Sequence, residues 1–111
     1  MTNDILYLRH ILDAIEKIES YVSIGYDQFM ADSHWQDAVI RQLEIVGEAA
    51  KHLSSDLRDR YPDIPWRRIC GLRDVLIHDY IGVDIDAVWA VTQTRIPELR
   101  GVHAILRDLG E

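Results

Sequence analysis

A chain of 111 residues is enough for one domain, residues 1–111, and can bury a real core without disulfide staples. Its 48% hydrophobic content fits a globular rather than a disordered protein, and its net charge of −7 excludes an overall basic nucleic-acid-binding surface. Cys70 is the only cysteine, so no disulfide can form within the chain, which fits a reducing compartment.

The pattern is helical nearly throughout. Ile5, Leu8, Leu12, Ile15, Ile18 and Val22 recur at three- and four-residue steps and predict a first helix that Gly25 ends. The YDQFMAD piece reads as a connector turn or a brief helix. Ser33-His-Trp-Gln36 has the form of a capping box, and opens a second long helix with Val39, Leu43, Val46, Ala50 and Leu53 on one face. Gly47 and its alanine neighbours leave that face thin enough for another helix to approach closely. Ser54 and Ser55 lead into a less regular stretch ending at Tyr61-Pro62.

Ile64-Pro65-Trp66 reads as a helix start, because proline is accepted in the first turn. This third helix is expected to run to about Tyr80. Gly82-Val83-Asp84 is a turn with Asp84 a good N-cap. The last helix carries Ile85, Val88, Trp89, Ile96, Leu99, Val102, Leu106 and Leu109, and Pro97 should kink or split it. No strand alternation, internal repeat or low-complexity linker is visible. The expected fold is therefore all-α, an up-and-down bundle of four to five helices.

No apolar run approaches the roughly 18 residues of a membrane span. The N-terminal MTNDILYLRH lacks the basic lead and apolar core of a signal peptide. The expectation is a soluble, cytoplasmic chain with no membrane partner.

One segment departs from the acidic balance. Residues 58–73 hold Arg58, Arg60, Arg67, Arg68 and Arg73 against only Asp59 and Asp63. Arg58 and Arg60 read as surface solvation and ion pairing, whereas Arg67 and Arg68 are candidate RNA contacts. The segment leads into RDVLIHDY, Arg73 to Tyr80, with three chemically capable side chains. Ten arginines and five histidines place an Arg-x4-His by chance roughly 0.45 times in this composition, and a tyrosine two residues on lowers that to about 0.02.

On a regular helix Arg73 and Tyr80 share a face, and Asp74 can touch His78. Arg73 and His78 would lie roughly 140° apart. One substrate could then meet both only if the arginine bends round, the helix distorts, or two copies of the motif meet at a twofold axis. Such a set permits RNA cleavage without a metal. A histidine can take the proton of a ribose 2′-hydroxyl or give one to the leaving oxygen. An arginine can hold the phosphate, and a tyrosine can bond it or stack on a base. The bland alternative is that Arg73 with Asp79, or Asp74 with His78, are surface ion pairs.

Arg73-x4-His78-x-Tyr80 resembles the R-x4-6-H motif of the HEPN superfamily, in the R-x4-H-x-Y form of its HepT-like members. EIVGEAAKHL at 44–53, YPDIPWRRICGLRD at 61–74, HDY at 78–80 and VDIDAVWAV at 83–91 resemble the family's blocks in the same order. Asp74 stands where the HepT-like pattern usually has Asn, which bears on fine geometry or rate. The resemblance implies an all-α homodimer with the motif in a cleft at the dimer interface. It also implies a metal-independent endoribonuclease, the toxin half of a type VII-like toxin–antitoxin pair. The implied partner is a minimal nucleotidyltransferase of the MntA type, which transfers AMP from ATP onto Tyr80. Arg73 and His78 carry over as catalytic residues, with Asp74, Asp79 and Glu48 as possible support.

Other sites are weaker. Cys70 with a histidine could form a nucleophilic pair, but a lone helical cysteine is usually core. His10 with Asp13 and His34 with Asp37 give only two ligands each, so neither a metal nor another cofactor is expected. Trp35, Trp66 and Trp89 read as packing anchors, and Glu48 with His52 as a surface pair. A second class of function stays open: a non-catalytic helical adaptor that binds the nucleotidyltransferase or a nucleotide in the same cleft.

Overall fold

The computed structural model describes residues 3–72, 77–78 and 82–110. The fold is all-α. Its helices are α1 (Asn3–Val22), α2 (Tyr26–Ala31), α3 (Ser33–Lys51), α4 (Ser55–Arg60), α5 (Trp66–Cys70), α6 (Ile85–Glu98) and α7 (Val102–Asp108). A two-residue ladder, β1 (Ile77–His78) with β2 (Gly82–Val83), is antiparallel and pairs Ile77 with Val83 and His78 with Gly82.

The two long stripes make the core. Leu8, Ile11, Ile15 and Ile18 of α1 pack with Val39, Leu43, Val46 and Ala50 of α3, all buried. The pair is antiparallel: Tyr7 near the start of α1 stacks on His52 just past the end of α3, and Tyr21 meets Trp35 at the opposite ends. The final helices run back along α1. Arg100 reaches Glu19 at 3.0 Å near the end of α1, and Leu109 lies beside Asp4 and Ile5 at its start. No helix among the described residues is long and apolar enough to cross a membrane.

Several punctuation marks act as the sequence predicts. Gly25, at φ +93°, takes the left-handed conformation between α1 and α2 and donates its N–H to Val22 O. Asp84 caps α6 by accepting from the Ala87 N–H at 3.1 Å. Pro97 cannot donate the helical bond to the carbonyl four residues back, and α6 ends one residue later, at Glu98, before α7 resumes at Val102. Trp66 is buried in the core, and its indole N–H donates to Tyr61 O at 3.0 Å. Trp89 packs on Phe29, which anchors the short α2 with full burial worth about 1.5–3 kcal/mol.

Three expectations are corrected. The cap of α3 is Asp32, whose carboxylate accepts from the His34 N–H at 2.9 Å, and Ser33 is already helical. Gln36 reaches back instead to the carbonyls of Phe29 and Met30, tying α3 to the end of α2. The stretch after Ser54 holds a full turn of helix, α4. The Ser54 hydroxyl accepts from the Leu57 N–H, while Ser54 donates its N–H and hydroxyl to the buried Asp4 at 2.8 and 2.6 Å. Finally, the helix opened at Trp66 does not run unbroken to Tyr80. It ends at Cys70, where the Gly71 N–H closes onto the carbonyls of Arg67 and Arg68, and Ile77–His78 is extended. Ile77 and Val83 are β-branched, and such side chains favour the extended pairing they make here.

Candidate functional site

Described residues flank the motif on both sides. On its N-terminal side α5 is pinned by two buried side chains, Trp66 and Ile69. Its last carbonyls face α3 at Gly47, where a Cβ would lie 3.5 Å from Ile69 O and 3.9 Å from Cys70 O. The missing side chain is what lets α5 sit so close. Leu72, 1% exposed, then fixes the residue before Arg73. On the C-terminal side the backbone of His78 pairs with Gly82, two residues before the N-cap of α6.

Arg73, Asp74, Asp79 and Tyr80 lie outside the described residues, as does the side chain of His78. The 140° separation of Arg73 and His78 assumed one regular helix, and the extended Ile77–His78 backbone removes that premise. Arg67 and Arg68 are exposed on α5. Glu48 does pair with His52, at 3.3 Å, on the exposed α1–α3 surface. There it borders a groove of about 400 Å³ with Tyr7, His10 and Arg41. Glu48 thus turns towards α1, while its neighbour Gly47 meets α5.

Arg58 is not simply solvated. Its guanidinium donates to the carbonyls of Lys51 and Leu53 at 3.0 and 3.1 Å, closing the C-terminal end of α3. Arg60 stays on the surface, over the Tyr61 ring. Cys70 is half-buried and packs against the core. Among the described residues no three His, Cys, Asp or Glu side chains gather to hold a metal ion.

A second concave surface, which includes Leu72, the residue before Arg73, went unread in the sequence. It lies between α5 and α6, has a volume of about 330 Å³, and is lined by Arg68, Gly71, Leu72, Ala87, Ala90, Val91, Thr94 and Arg95. The signal was present: Ala87, Ala90, Val91, Thr94 and Arg95 follow helical spacing with mostly small side chains, which leave a furrow rather than a ridge.

An all-α bundle of HEPN type, with an Arg-x4-His-x-Tyr segment entered from Leu72, defines the class. The family model of HepT-like ribonucleases matches residues 11–103, and the chain belongs to that family. It is 44% identical over 102 residues to a Thermococcus cleftensis protein named "Probable ribonuclease HepT", covering 91% of this chain and 93% of that one. It is 45% identical over 96 residues to a Methanocaldococcus jannaschii protein named as a gamma-glutamylcyclotransferase and "putative RNase", covering 86% of this chain but 43% of that longer one. A Caldanaerobacter subterraneus protein named "Putative RNase" is 42% identical over 94 residues, 84% of each chain. No solved structure matches the chain.

Proposed function

We propose that this protein is a metal-independent endoribonuclease acting as a homodimer, the toxin of a two-gene toxin–antitoxin pair. The observation that carries the reading is the complete Arg73-x4-His78-x-Tyr80 set inside the 11–103 family match. In this reaction the ribose 2′-oxygen attacks the adjacent phosphorus, forming the O2′–P bond as the P–O5′ bond breaks. His78 takes the 2′-hydroxyl proton or delivers one to the departing 5′-oxygen. Arg73 neutralises the charge gathering on the phosphoryl oxygens. The products are a 2′,3′-cyclic phosphate and a 5′-hydroxyl. Each subunit contributes its motif to a shared cleft, with Asp74, Asp79 or Glu48 in support and Arg67 and Arg68 as flanking contacts.

The antitoxin is a MntA-like nucleotidyltransferase that moves AMP from ATP to Tyr80. The phenol oxygen attacks the α-phosphorus, pyrophosphate leaves, and the phenol proton is lost to solvent. The added phosphodiester places a negative charge near Arg73 and His78 and obstructs an anionic substrate.

The test is incubation of the purified chain with RNA in the presence of chelator. Cleavage is expected, and is expected to vanish in a folded His78→Ala protein. Equal cleavage by that variant would trace the activity to a contaminant. The acidic balance of −7 favours the second reading, a non-catalytic adaptor, which the same assay separates by the absence of cleavage. With the nucleotidyltransferase and ATP, the chain should gain the mass of AMP and Tyr80→Phe should not.

A further inference from the structure

We infer that the furrow between α5 and α6 is a nucleotide subsite of the same nuclease, seating the part of a single-stranded RNA that flanks the scissile phosphate. The inference rests on the ribonuclease reading above and extends it to residues that no motif assigns.

Three observations support it. The first is charge. The protein carries −7 overall, yet two arginines from different elements, Arg68 and Arg95, line this furrow, and among the described residues no carboxylate does. Phosphates are drawn to guanidinium pairs, and screening limits the repulsion of distant carboxylates to about a Debye length, roughly 8 Å at physiological salt. The second is shape. Gly71, Ala87 and Ala90 give a small-residue floor that can take the flat face of a base or ribose, with the arginines beside it. The third is position in the chain. Leu72 lines the furrow, and the next residue in sequence is Arg73, the proposed phosphate-binding arginine.

The two arginines are poised differently. Arg68 is exposed and has no side-chain partner among the described residues. Arg95 is half-buried and pairs with Glu98 at 3.4 Å across one helical turn. Glu98 therefore competes with RNA for Arg95. Removing its charge should strengthen binding, a sign opposite to that of removing the arginine.

The experiment uses the full chain and a short fluorescent RNA carrying 2′-O-methyl groups, which cannot be cleaved. Anisotropy titrations over a range of salt give affinity and salt slope, and single-turnover cleavage of the unmodified oligonucleotide is followed in parallel. Arg68→Ala and Arg95→Ala should each weaken binding about five- to tenfold and reduce the salt slope by about 0.7, the value for one single-strand phosphate contact. Their loss should fall on the RNA concentration dependence of cleavage rather than on the rate at saturation. Arg95→Lys should recover part of the affinity, and Glu98→Gln should bind more tightly than the wild type.

If both alanine variants bind like the wild type while the protein still cuts, the subsite is wrong and the nuclease reading stands. The subsite is equally overturned if the variants alter the sedimentation coefficient and leave RNA affinity intact, for then the furrow faces a second copy. Salt-dependent binding lost in the variants, in a wild type that never cuts, supports the subsite and sinks the nuclease reading. A wild type that neither binds nor cuts overturns both.

Discussion

Replacing Gly47 should separate stability from activity. The residue lies inside α3, and an alanine Cβ there would sit 3.5 Å from Ile69 O, 3.9 Å from Cys70 O and 4.0 Å from Leu72 Cβ. These are ordinary contact distances, so the methyl group fits without displacing α5. A helix-interior glycine is less favourable than alanine by about 0.8–1.0 kcal/mol, partly through the entropy of the unfolded chain. Gly47→Ala is therefore expected to stabilise the fold by about 0.5–1 kcal/mol and to leave RNA cleavage intact. Valine reverses the sign. Its branch carbons extend a further C–C bond, about 1.5 Å, and its χ1 is stiff in a helix, so a methyl is driven towards the Ile69 and Cys70 carbonyls. Overpacking of this kind costs about 1–3 kcal/mol, and relief requires α5 to move outwards. Because α5 leads through Leu72 to Arg73, cleavage should fall further than the lost stability explains. Urea unfolding gives the first quantity and single-turnover cleavage the second. An alanine variant destabilised by more than 1 kcal/mol, or a valine variant indistinguishable from wild type in both assays, would refute the close-approach argument.

Asp4→Ala removes a buried carboxylate that accepts two hydrogen bonds from Ser54, and should cost about 2–4 kcal/mol in urea unfolding; a loss under 0.5 kcal/mol would mean water replaces it freely. Arg58→Met keeps the aliphatic packing but frees the Lys51 and Leu53 carbonyls, for an expected cost of about 1 kcal/mol, and a neutral result would return Arg58 to the solvated surface. The Tyr26 phenol is held above its ordinary value, first by its hydrogen bond to Asp86 at 3.2 Å, then by the Asp86 charge, burial and the Asp27 charge. Its folded pKa exceeds the unfolded one, so this contact's stabilisation is complete below the unfolded tyrosine pKa, about 10, and is lost as pH rises through the folded value. Tyrosinate absorbance, with Tyr26→Phe as the blank, should show Asp86→Asn shifting the Tyr26 transition to lower pH; no shift would remove Asp86 as the cause.

The long elements were legible because their periodicity is their stabilisation. The stripe from Leu8 to Ile18 and that from Val39 to Ala50 are the buried faces of α1 and α3, and each could be read locally. The short elements were not, because their support comes from far along the chain. The turn α4 depends on Asp4, fifty residues before Ser54, and on Arg58 reaching back to α3. The cap of α3 was misplaced by one residue because Asp32 and Ser33 are adjacent and chemically equivalent candidates. At the motif, a continuous helical pattern concealed a break at Gly71 that was visible as a glycine, and a ladder that Ile77 and Val83 support. The break in the helix at Gly71 and the extended Ile77–His78 backbone were thus not readable from periodicity alone.

The placement of the arginines changes what the acidic surface means. Positive charge is gathered at one place among the described residues: Arg67 and Arg68 are exposed on α5, and Arg68 and Arg95 line the furrow. On the proposed reading, RNA is repelled by most of the body and attracted at this one end. Contact is then limited to a short single-stranded segment instead of a long duplex, because a duplex would bring many phosphates against the acidic flanks within a Debye length. A protein with this charge distribution should therefore bind weakly and with a shallow salt dependence, about 0.7 in slope for each phosphate contacted. Its selectivity would come from where the strand can enter the furrow rather than from the total charge it can neutralise.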